Sequence, residues 1–256
     1  MTIASTYGRA KAETLAETAR SAAQNGYLGI EGLDALLPEG ITYDSQIMVI
    51  GDTGVGKSVL AAQFVYEGLV TGDACIYIAC DEPLNNMRQH MAGFRLGTTA
   101  YERTGQLLML DAYGRDLSTE KRVVPEPTNL DEFFLYQKQI VDEAIATGRR
   151  VRMVVDSLST PLATNSANEI IVFNAHRLRF LRARRVLTLD NVVANVLDAR
   201  TLGGLTHVYP LIIRMGYHTE NGTMSRYIQL GKLKSGQFSA NEHTFTIDPR
   251  TGIVLQ

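Results

Sequence analysis

Residues 51–58 have the sequence Gly51-Asp52-Thr53-Gly54-Val55-Gly56-Lys57-Ser58, which matches the phosphate-binding pattern G-x-x-x-x-G-K-[ST] at every constrained position. A glycine-rich turn of this kind lets successive backbone N–H groups converge on an anion, and the helix that follows adds its positive N-terminal end. In the pattern, the Lys57 ammonium reaches the β- and γ-phosphates of a nucleotide, and the Ser58 hydroxyl is a ligand of Mg²⁺. This stretch, together with Val59, is therefore predicted to bind ATP and magnesium.

The segments on either side of this loop have the pattern that such a loop requires. Residues 46–50 form a short apolar run that is typical of a buried parallel strand. Residues 59–66 carry apolar side chains at helical spacing. A chance match of small residues would not be expected to lie between a strand and a helix. The sequence therefore predicts an α/β fold with a nucleotide site.

The composition is that of an ordinary globular protein. Of the 256 residues, 45% are hydrophobic and 20% are charged, which suits one substantial core and argues against wholesale disorder. The net charge of −2 gives no general attraction to nucleic acid or to an anionic membrane. The first residues lack the pattern of a signal peptide and no apolar run has spanning length, so we expect a cytoplasmic protein without a membrane segment.

The two cysteines, Cys75 and Cys80, stand five residues apart in one apolar run. Strand residues at an odd separation point to opposite faces, so these thiols cannot easily form a disulfide or share a metal ion. We expect buried free thiols, as in a reducing compartment.

A second predicted strand, residues 74–80, ends at Asp81 and Glu82. Because the carboxyl ends of parallel strands face the ligand, these acids would lie beside the phosphates. The alternative is that they are acids favoured by the dipole at the start of the next helix. The residues alone leave both interpretations open.

A later predicted strand, residues 149–157, is apolar and ends in Asp156 and Ser157. An acid at the end of an apolar strand, following a phosphate-binding loop with two strands and two helices between, is the Walker B form. Asp156 should hold Mg²⁺ through a water, since magnesium keeps most of its hydration shell. Ser157 would be placed to sense the γ-phosphate.

The remaining elements are predicted from periodicity and turn residues. We expect strands over residues 106–112 and 192–197 and helices over residues 128–147 and 169–185. Residues 159–168 are predicted to be a polar, flexible stretch without regular structure. The C-terminal part has the pattern of antiparallel strands. Residues 210–215 and 225–230 predict a hairpin with Asn221-Gly222 at its tip, and residues 244–247 and 252–255 predict a further pairing.

One predicted helix carries a cluster of basic residues. They are Arg177, Arg179, Arg182, Arg184 and Arg185. A nucleic-acid patch would place aromatic platforms among such residues, and none alternate with them here. The pattern favours a solvated or subunit-facing flank, so nucleic-acid binding is a weaker alternative.

Residues 27–41 contain the lead-in G-[IV]-x-G-L-D-x-L-L-x-x-G-I, which is followed within about ten residues by the phosphate-binding loop. This arrangement resembles a KaiC-type domain of the RecA and RadA superfamily, and the resemblance extends over residues 27–256. It implies a RecA-like P-loop NTPase fold, with a mainly parallel central sheet flanked by helices and a C-terminal antiparallel extension. Residues 1–26 would form an N-terminal helical extension, either solvated or in contact with another subunit.

The resemblance also implies roles for acidic residues. The superfamily uses a glutamate after the second strand to orient or deprotonate the attacking water, which corresponds to Glu82 here, with Asp81 assisting. KaiC itself has two glutamates where this sequence has Asp-Glu, so which acid acts stays open.

Two lysines near the C-terminal part match a family pattern in part. Lys232 and Lys234 stand where K-x-R-G-S-x-H has its Lys and Arg, while Ser235 and Gly236 are exchanged and Phe238 replaces the His. In the family these basic residues reach the γ-phosphate bound to the neighbouring subunit. The alternative is that they are exposed strand lysines that protect a sheet edge.

The function implied by the resemblance is a Mg²⁺-dependent ATPase that binds ATP and ADP in a homo-oligomeric, hexameric ring. Its nucleotide sites would lie at subunit interfaces, and its nucleotide state would control an unidentified protein partner. The alternatives are a non-hydrolytic, ATP-gated assembly factor and a DNA-binding relative of RecA. Autophosphorylation, known in the second KaiC domain, is not expected, because residues 202–205 lack the Ser-Thr doublet found there.

Overall fold

The computed structural model describes residues 25–114, 120–220, 222–234 and 238–256. The predicted N-terminal helix over residues 8–24 and the hairpin tip at Asn221 lie outside these ranges. The strands are β1 (Gln46–Gly51), β2 (Ala74–Ala79), β3 (Leu107–Asp111), β4 (Val151–Asp156), β5 (Val186–Val193), β6 (Leu211–Glu220), β7 (Thr223–Leu233), β8 (Glu242–Asp248) and β9 (Gly252–Leu255). The helices are α1 (Glu31–Asp34), α2 (Lys57–Val70), α3 (Leu84–Gly93), α4 (Thr99–Thr104), α5 (Leu130–Ile145), α6 (Ser159–Leu162), α7 (Ala167–Ala183) and α8 (Ala199–Val208).

The described strands form one sheet in the order β3-β2-β4-β5-β1-β6-β7-β8-β9. The strands from β3 to β6 are parallel to one another, and β7, β8 and β9 extend the sheet in antiparallel fashion. The predicted fold class and the predicted C-terminal pairings are therefore confirmed.

The parallel strands are buried on both faces, as expected when helices cover both sides of a sheet. One apolar layer packs against α2 and α3, and the other packs against α5, α7 and α8. Cys75 lies in the first layer and Cys80 in the second, and both thiols are free and buried, as predicted. Within the ranges described, no helix combines the length and apolar character needed to cross a bilayer.

Close contacts with neighbouring strands explain why two positions of the phosphate-binding loop are glycine. At Gly51, a Cβ atom would lie 2.4 Å from the carbonyl oxygen of Met215 on β6. Gly56 has a φ of 121°, and a Cβ atom there would lie 2.9 Å from Ile247 Cδ1 of β8. The loop therefore packs tightly against the C-terminal half of the sheet, which only glycine permits.

Helix α2 is also tied to β9 through Gln63. Its side-chain oxygen accepts a hydrogen bond from the Ile253 N–H at 2.8 Å, and its side-chain nitrogen donates to the Thr251 carbonyl at 3.1 Å. The Gln63 side chain is buried, so these bonds satisfy polar groups that water does not reach.

Two sequence predictions differ from the structure near β5. The strand predicted over residues 192–197 is wrong, because β5 spans Val186–Val193 and residues 194–197 form a turn and loop. Asp190 and Asn191 interrupt the apolar pattern of β5 and conceal the strand, although both side chains are fully buried. The stretch after β4, predicted to be irregular, begins with the short helix α6.

A third difference from the sequence predictions concerns the arginine cluster. Arg177 is not on a solvated flank: it is fully buried and its guanidinium donates to both carboxylate oxygens of Asp190, at 2.7 and 2.8 Å. Tyr209 adds a hydrogen bond to the same carboxylate at 2.6 Å. The other four arginines of the cluster are exposed, as predicted.

Candidate functional site

The phosphate-binding loop folds around the ammonium of Lys57. Its Nζ donates to the carbonyl oxygens of Gly51 at 3.0 Å and Asp52 at 2.8 Å, and the residue is only 7% exposed. Burial lowers the pKa of Lys57, while nearby carboxylates oppose this shift. Those carboxylates belong to Asp156, Asp52 and Asp81. The predicted phosphate ligand thus lies where the ends of β1, β2 and β4 converge.

Asp156 ends β4, and the Ser58 hydroxyl interacts with its carboxylate. Its Oδ1 accepts from Asn191 Nδ2 at 2.7 Å, and its Oδ2 accepts from the Tyr77 hydroxyl at 2.5 Å. Burial raises the pKa of the Asp156 carboxyl, and these hydrogen bonds lower it. The structure therefore brings together the two residues predicted to hold magnesium.

The donor set around Asp156 suits a magnesium ion. A carboxylate and a hydroxyl oxygen are hard ligands, which Mg²⁺ prefers. Two buried oxygen atoms near Asp156 have no hydrogen-bond partner among the described residues: Oδ1 of Asn191, which is bonded to Asp156 through Nδ2, and Oγ of Ser157, the next residue in the chain. The part of the chain that is described holds no group of three His, Cys, Asp or Glu residues suited to a metal. Magnesium bound largely through phosphates and waters does not need one.

Asp81 and Glu82 follow the carboxyl end of β2, as the sequence predicts. Neither makes a side-chain cap on α3, whose N-cap residue is Pro83. The Asp81 carboxylate accepts a hydrogen bond from the Thr160 hydroxyl on α6, which joins the chain segments after β2 and β4. The Glu82 carboxylate is about one-quarter exposed and lies 3.5 Å from His90 Nδ1. Asp81 is thus engaged with a neighbouring segment, whereas Glu82 lies beside His90 of α3.

Lys232 and Lys234 lie at the other end of the sheet. Lys232 is opposite Ile212 at the start of β6, whereas Met215 of β6 is the residue paired with Gly51 at the phosphate-binding loop. Lys232 Nζ donates to the carbonyls of Thr206 at 3.0 Å and His207 at 2.9 Å, in the last turn of α8. Within one chain, these lysines are therefore not part of the site formed by residues 51–58.

An apolar cavity of about 270 Å³ adjoins the loop and was not predicted. Its walls come from α2, α3 and β8, and they are Ser58, Val59, Ala62, Met87, His90, Phe94 and Ile247. The helical spacing of Met87, His90 and Phe94 is visible in the sequence and could have indicated one wall. Tyr77 and Asn191 were also missed, since their roles depend on which strands become neighbours.

Comparisons with known proteins agree with this geometry. Residues 27–256 match the family described as "ATPase: KaiC". A UPF0273 protein of Pyrococcus furiosus is 29% identical over 238 residues, which cover 89% of this chain and 92% of the relative. A UPF0273 protein of Methanopyrus kandleri is 28% identical over 230 residues, covering 86% and 87%.

A solved structure shares the fold. The KaiC-like protein PH0186 of Pyrococcus horikoshii OT3 superposes with a TM-score of 0.72 at 24% identity, covering 91% of this chain and 98% of that protein. The family match spans the phosphate-binding loop, the Walker B strand and the antiparallel extension. The chain therefore belongs to the KaiC family of ATPases, a membership that supports nucleotide binding.

Proposed function

We propose that this protein is a magnesium-dependent ATPase that works as a homo-oligomeric ring and controls a protein partner through its nucleotide state. The observation that carries the proposal is the position of the buried Asp156 carboxylate beside the Ser58 hydroxyl and the Lys57 ammonium. If the loop matched the pattern only by chance, we would not expect the buried carboxylate of Asp156 beside the Ser58 hydroxyl at the end of the loop.

The residues divide the chemistry among them. The loop N–H groups and Lys57 bind the phosphates and stabilise the charge that develops during in-line attack of water. Ser58 and Asp156 would hold magnesium, which supplies neutralising charge to the phosphate oxygens. Glu82 orients the water and accepts its proton. Its carboxylate lies 3.5 Å from Nδ1 of His90, which lines the cavity beside Ser58, whereas the Asp81 carboxylate is bonded to Thr160.

The apolar cavity beside Ser58 suits the base of the nucleotide. Its walls combine the flat side chain of Phe94 with the imidazole of His90 and aliphatic groups. Such walls accept a purine ring by stacking and burial rather than by charge. The cavity and the loop share Ser58 and Val59, so one nucleotide contacts both.

The position of the lysines supports an assembly with sites between subunits. Lys234 is exposed at the sheet end opposite the phosphate-binding loop, where it is available to a neighbouring copy. Lys232 caps α8 within its own chain, which makes Lys234 the stronger candidate for contact with the neighbour's γ-phosphate. A lysine lacks the bidentate fork of arginine, so we expect slow turnover.

The substitution Glu82→Gln tests the catalytic part of the proposal. Loss of the carboxylate should reduce phosphate release by at least about 100-fold, because general-base catalysis contributes that much. ATP binding and ATP-dependent assembly, measured by light scattering, should persist. Glu31→Gln, at an exposed glutamate of α1, is the control and should change neither property.

Three outcomes separate the alternatives. Unchanged phosphate release in Glu82→Gln, with loss in Asp81→Asn, would assign the base to Asp81. Partner control that survives without hydrolysis would indicate an ATP-gated assembly factor. A chain that stays monomeric with ATP yet hydrolyses it fully would remove the role of the lysines between subunits.

A further inference from the structure

The carboxylate of Asp156 is held from both sides by neutral donors on the two neighbouring strands. The Tyr77 hydroxyl of β2 donates to Oδ2 at 2.5 Å, and the Asn191 amide of β5 donates to Oδ1 at 2.7 Å. Tyr77 and Asn191 are fully buried, and Asp156 is 6% exposed. Both oxygens of the Asp156 carboxylate are therefore held in place by hydrogen bonds from the protein itself.

The sheet order creates this arrangement. Strand β4 lies between β2 and β5, with Ala79 paired to Asp156 and Val155 paired to Asp190. Tyr77 shares a face with Ala79, and Asn191 follows Asp190, so both side chains lie on the face that carries Asp156 and α2. Neither residue belongs to a recognisable sequence motif, and only the neighbouring strands bring them to the site.

Asn191 has a second polar atom to satisfy. Its Nδ2 is bonded to Asp156, but its Oδ1 is buried without a hydrogen-bond partner among the described residues. A buried carbonyl oxygen without a donor is costly. A water in the shell of a magnesium ion supplies such a donor, and second-shell acceptors of this kind orient metal ligands.

We propose that Tyr77 and Asn191 are positioning residues that fix the Asp156 carboxylate for magnesium, with Asn191 Oδ1 accepting a hydrogen bond from a metal-bound water. This inference rests on the proposed function. A merely structural role would require only that the buried hydroxyl and amide find some acceptor. Their convergence on a single carboxylate, which also contacts Ser58, ties them to the metal site instead.

The chain contains a matched control for Tyr77. Tyr209 is equally buried and donates to a buried carboxylate, Asp190, at 2.6 Å. That pair lies on the opposite face of the sheet from Asp156, against α7 and α8. The substitutions Tyr77→Phe and Tyr209→Phe therefore remove the same group from comparable surroundings, and only the first touches Asp156.

The test measures the affinity of each protein for a fluorescent ATP analogue, once with Mg²⁺ and once with EDTA. For Tyr77→Phe and Asn191→Leu, we expect the EDTA affinity to stay within about twofold of the unsubstituted protein. The gain in affinity caused by Mg²⁺ should fall by about tenfold, the lower end of second-shell effects on metal sites. Tyr209→Phe should keep the full gain.

The ratio of two dissociation constants within one variant does not depend on how much of the sample is folded. An unchanged magnesium gain in both Tyr77→Phe and Asn191→Leu would overturn the proposal, as would an equal loss in Tyr209→Phe. If the unsubstituted protein binds the analogue but gains nothing from magnesium, the positioning role fails while nucleotide binding stands. If it binds no analogue under either condition, the proposed function itself fails.

Discussion

The charged residues of the site depend on one another because they are buried together. Burial lowers the pKa of Lys57 and raises that of Asp156, which is a preference of the buried site against the charged form of each residue. Their proximity offsets this preference. Both residues were predicted from local motifs, because a phosphate-binding loop and a Walker B strand each carry their own signature. Tyr77 and Asn191 were not predicted, because no short motif shows that their side chains will meet Asp156 on another strand.

The reactivity of the two cysteine thiols, Cys75 and Cys80, is a further prediction about single residues. Burial raises the pKa of Cys75 and of Cys80, so almost no thiolate is present near neutral pH. We expect iodoacetamide at pH 8 to leave both unmodified while the protein is folded, and to modify both in urea, as read by intact mass. A single adduct on the folded protein would show that one thiol is accessible.

At the scale of elements, predictions succeeded where side-chain pattern and burial agree. The strands β1, β2 and β4 each contain an apolar run and were placed correctly, whereas β5 carries Asp190 and Asn191 and was misplaced. Those two residues are polar because each serves a different face of the sheet: Asp190 binds Arg177, and Asn191 binds Asp156. A strand with partners on both faces cannot be recognised before its neighbours are known.

The buried ion pair between α7 and β5 predicts a large loss of stability on substitution. Arg177→Met leaves the Asp190 carboxylate buried without its cation, which should lower the free energy of unfolding by about 3–5 kcal/mol. Arg179→Met, an exposed arginine of the same helix, should change it by less than about 0.5 kcal/mol. Urea unfolding followed by circular dichroism measures both. Equal losses of free energy of unfolding in the two variants would contradict a stabilising role of the ion pair between Arg177 and Asp190.

At the scale of the whole molecule, the two ends of the sheet carry different candidate residues. The phosphate-binding loop and both candidate acids lie at the carboxyl end of the parallel strands, and Lys232 and Lys234 lie at the opposite end. One chain therefore cannot bring its own lysines to its own nucleotide, and a head-to-tail contact between copies is the geometry that could.

Mixing two defective variants tests this arrangement. Lys57→Ala removes the phosphate ligand, and Lys234→Met removes the exposed lysine, so each variant alone should release little phosphate. In mixed rings, an intact loop meets an intact Lys234 at about a quarter of the interfaces if subunits assemble at random. Phosphate release should therefore recover in the mixture. No recovery, despite mixed assembly shown by mass spectrometry, would contradict catalysis between subunits.

The contact between α2 and β9 has a consequence for how the protein matures. Gln63, one and a half turns into the helix that follows the phosphate-binding loop, is satisfied by backbone atoms of residues 251 and 253, almost two hundred positions later in the chain. A ribosome that has made the loop, its helix and the Walker B strand has not yet made the groups that satisfy Gln63. The polar atoms of this side chain thus lack their native partners until β9 emerges, so the helix reaches its final packing only after all the parallel strands have been made.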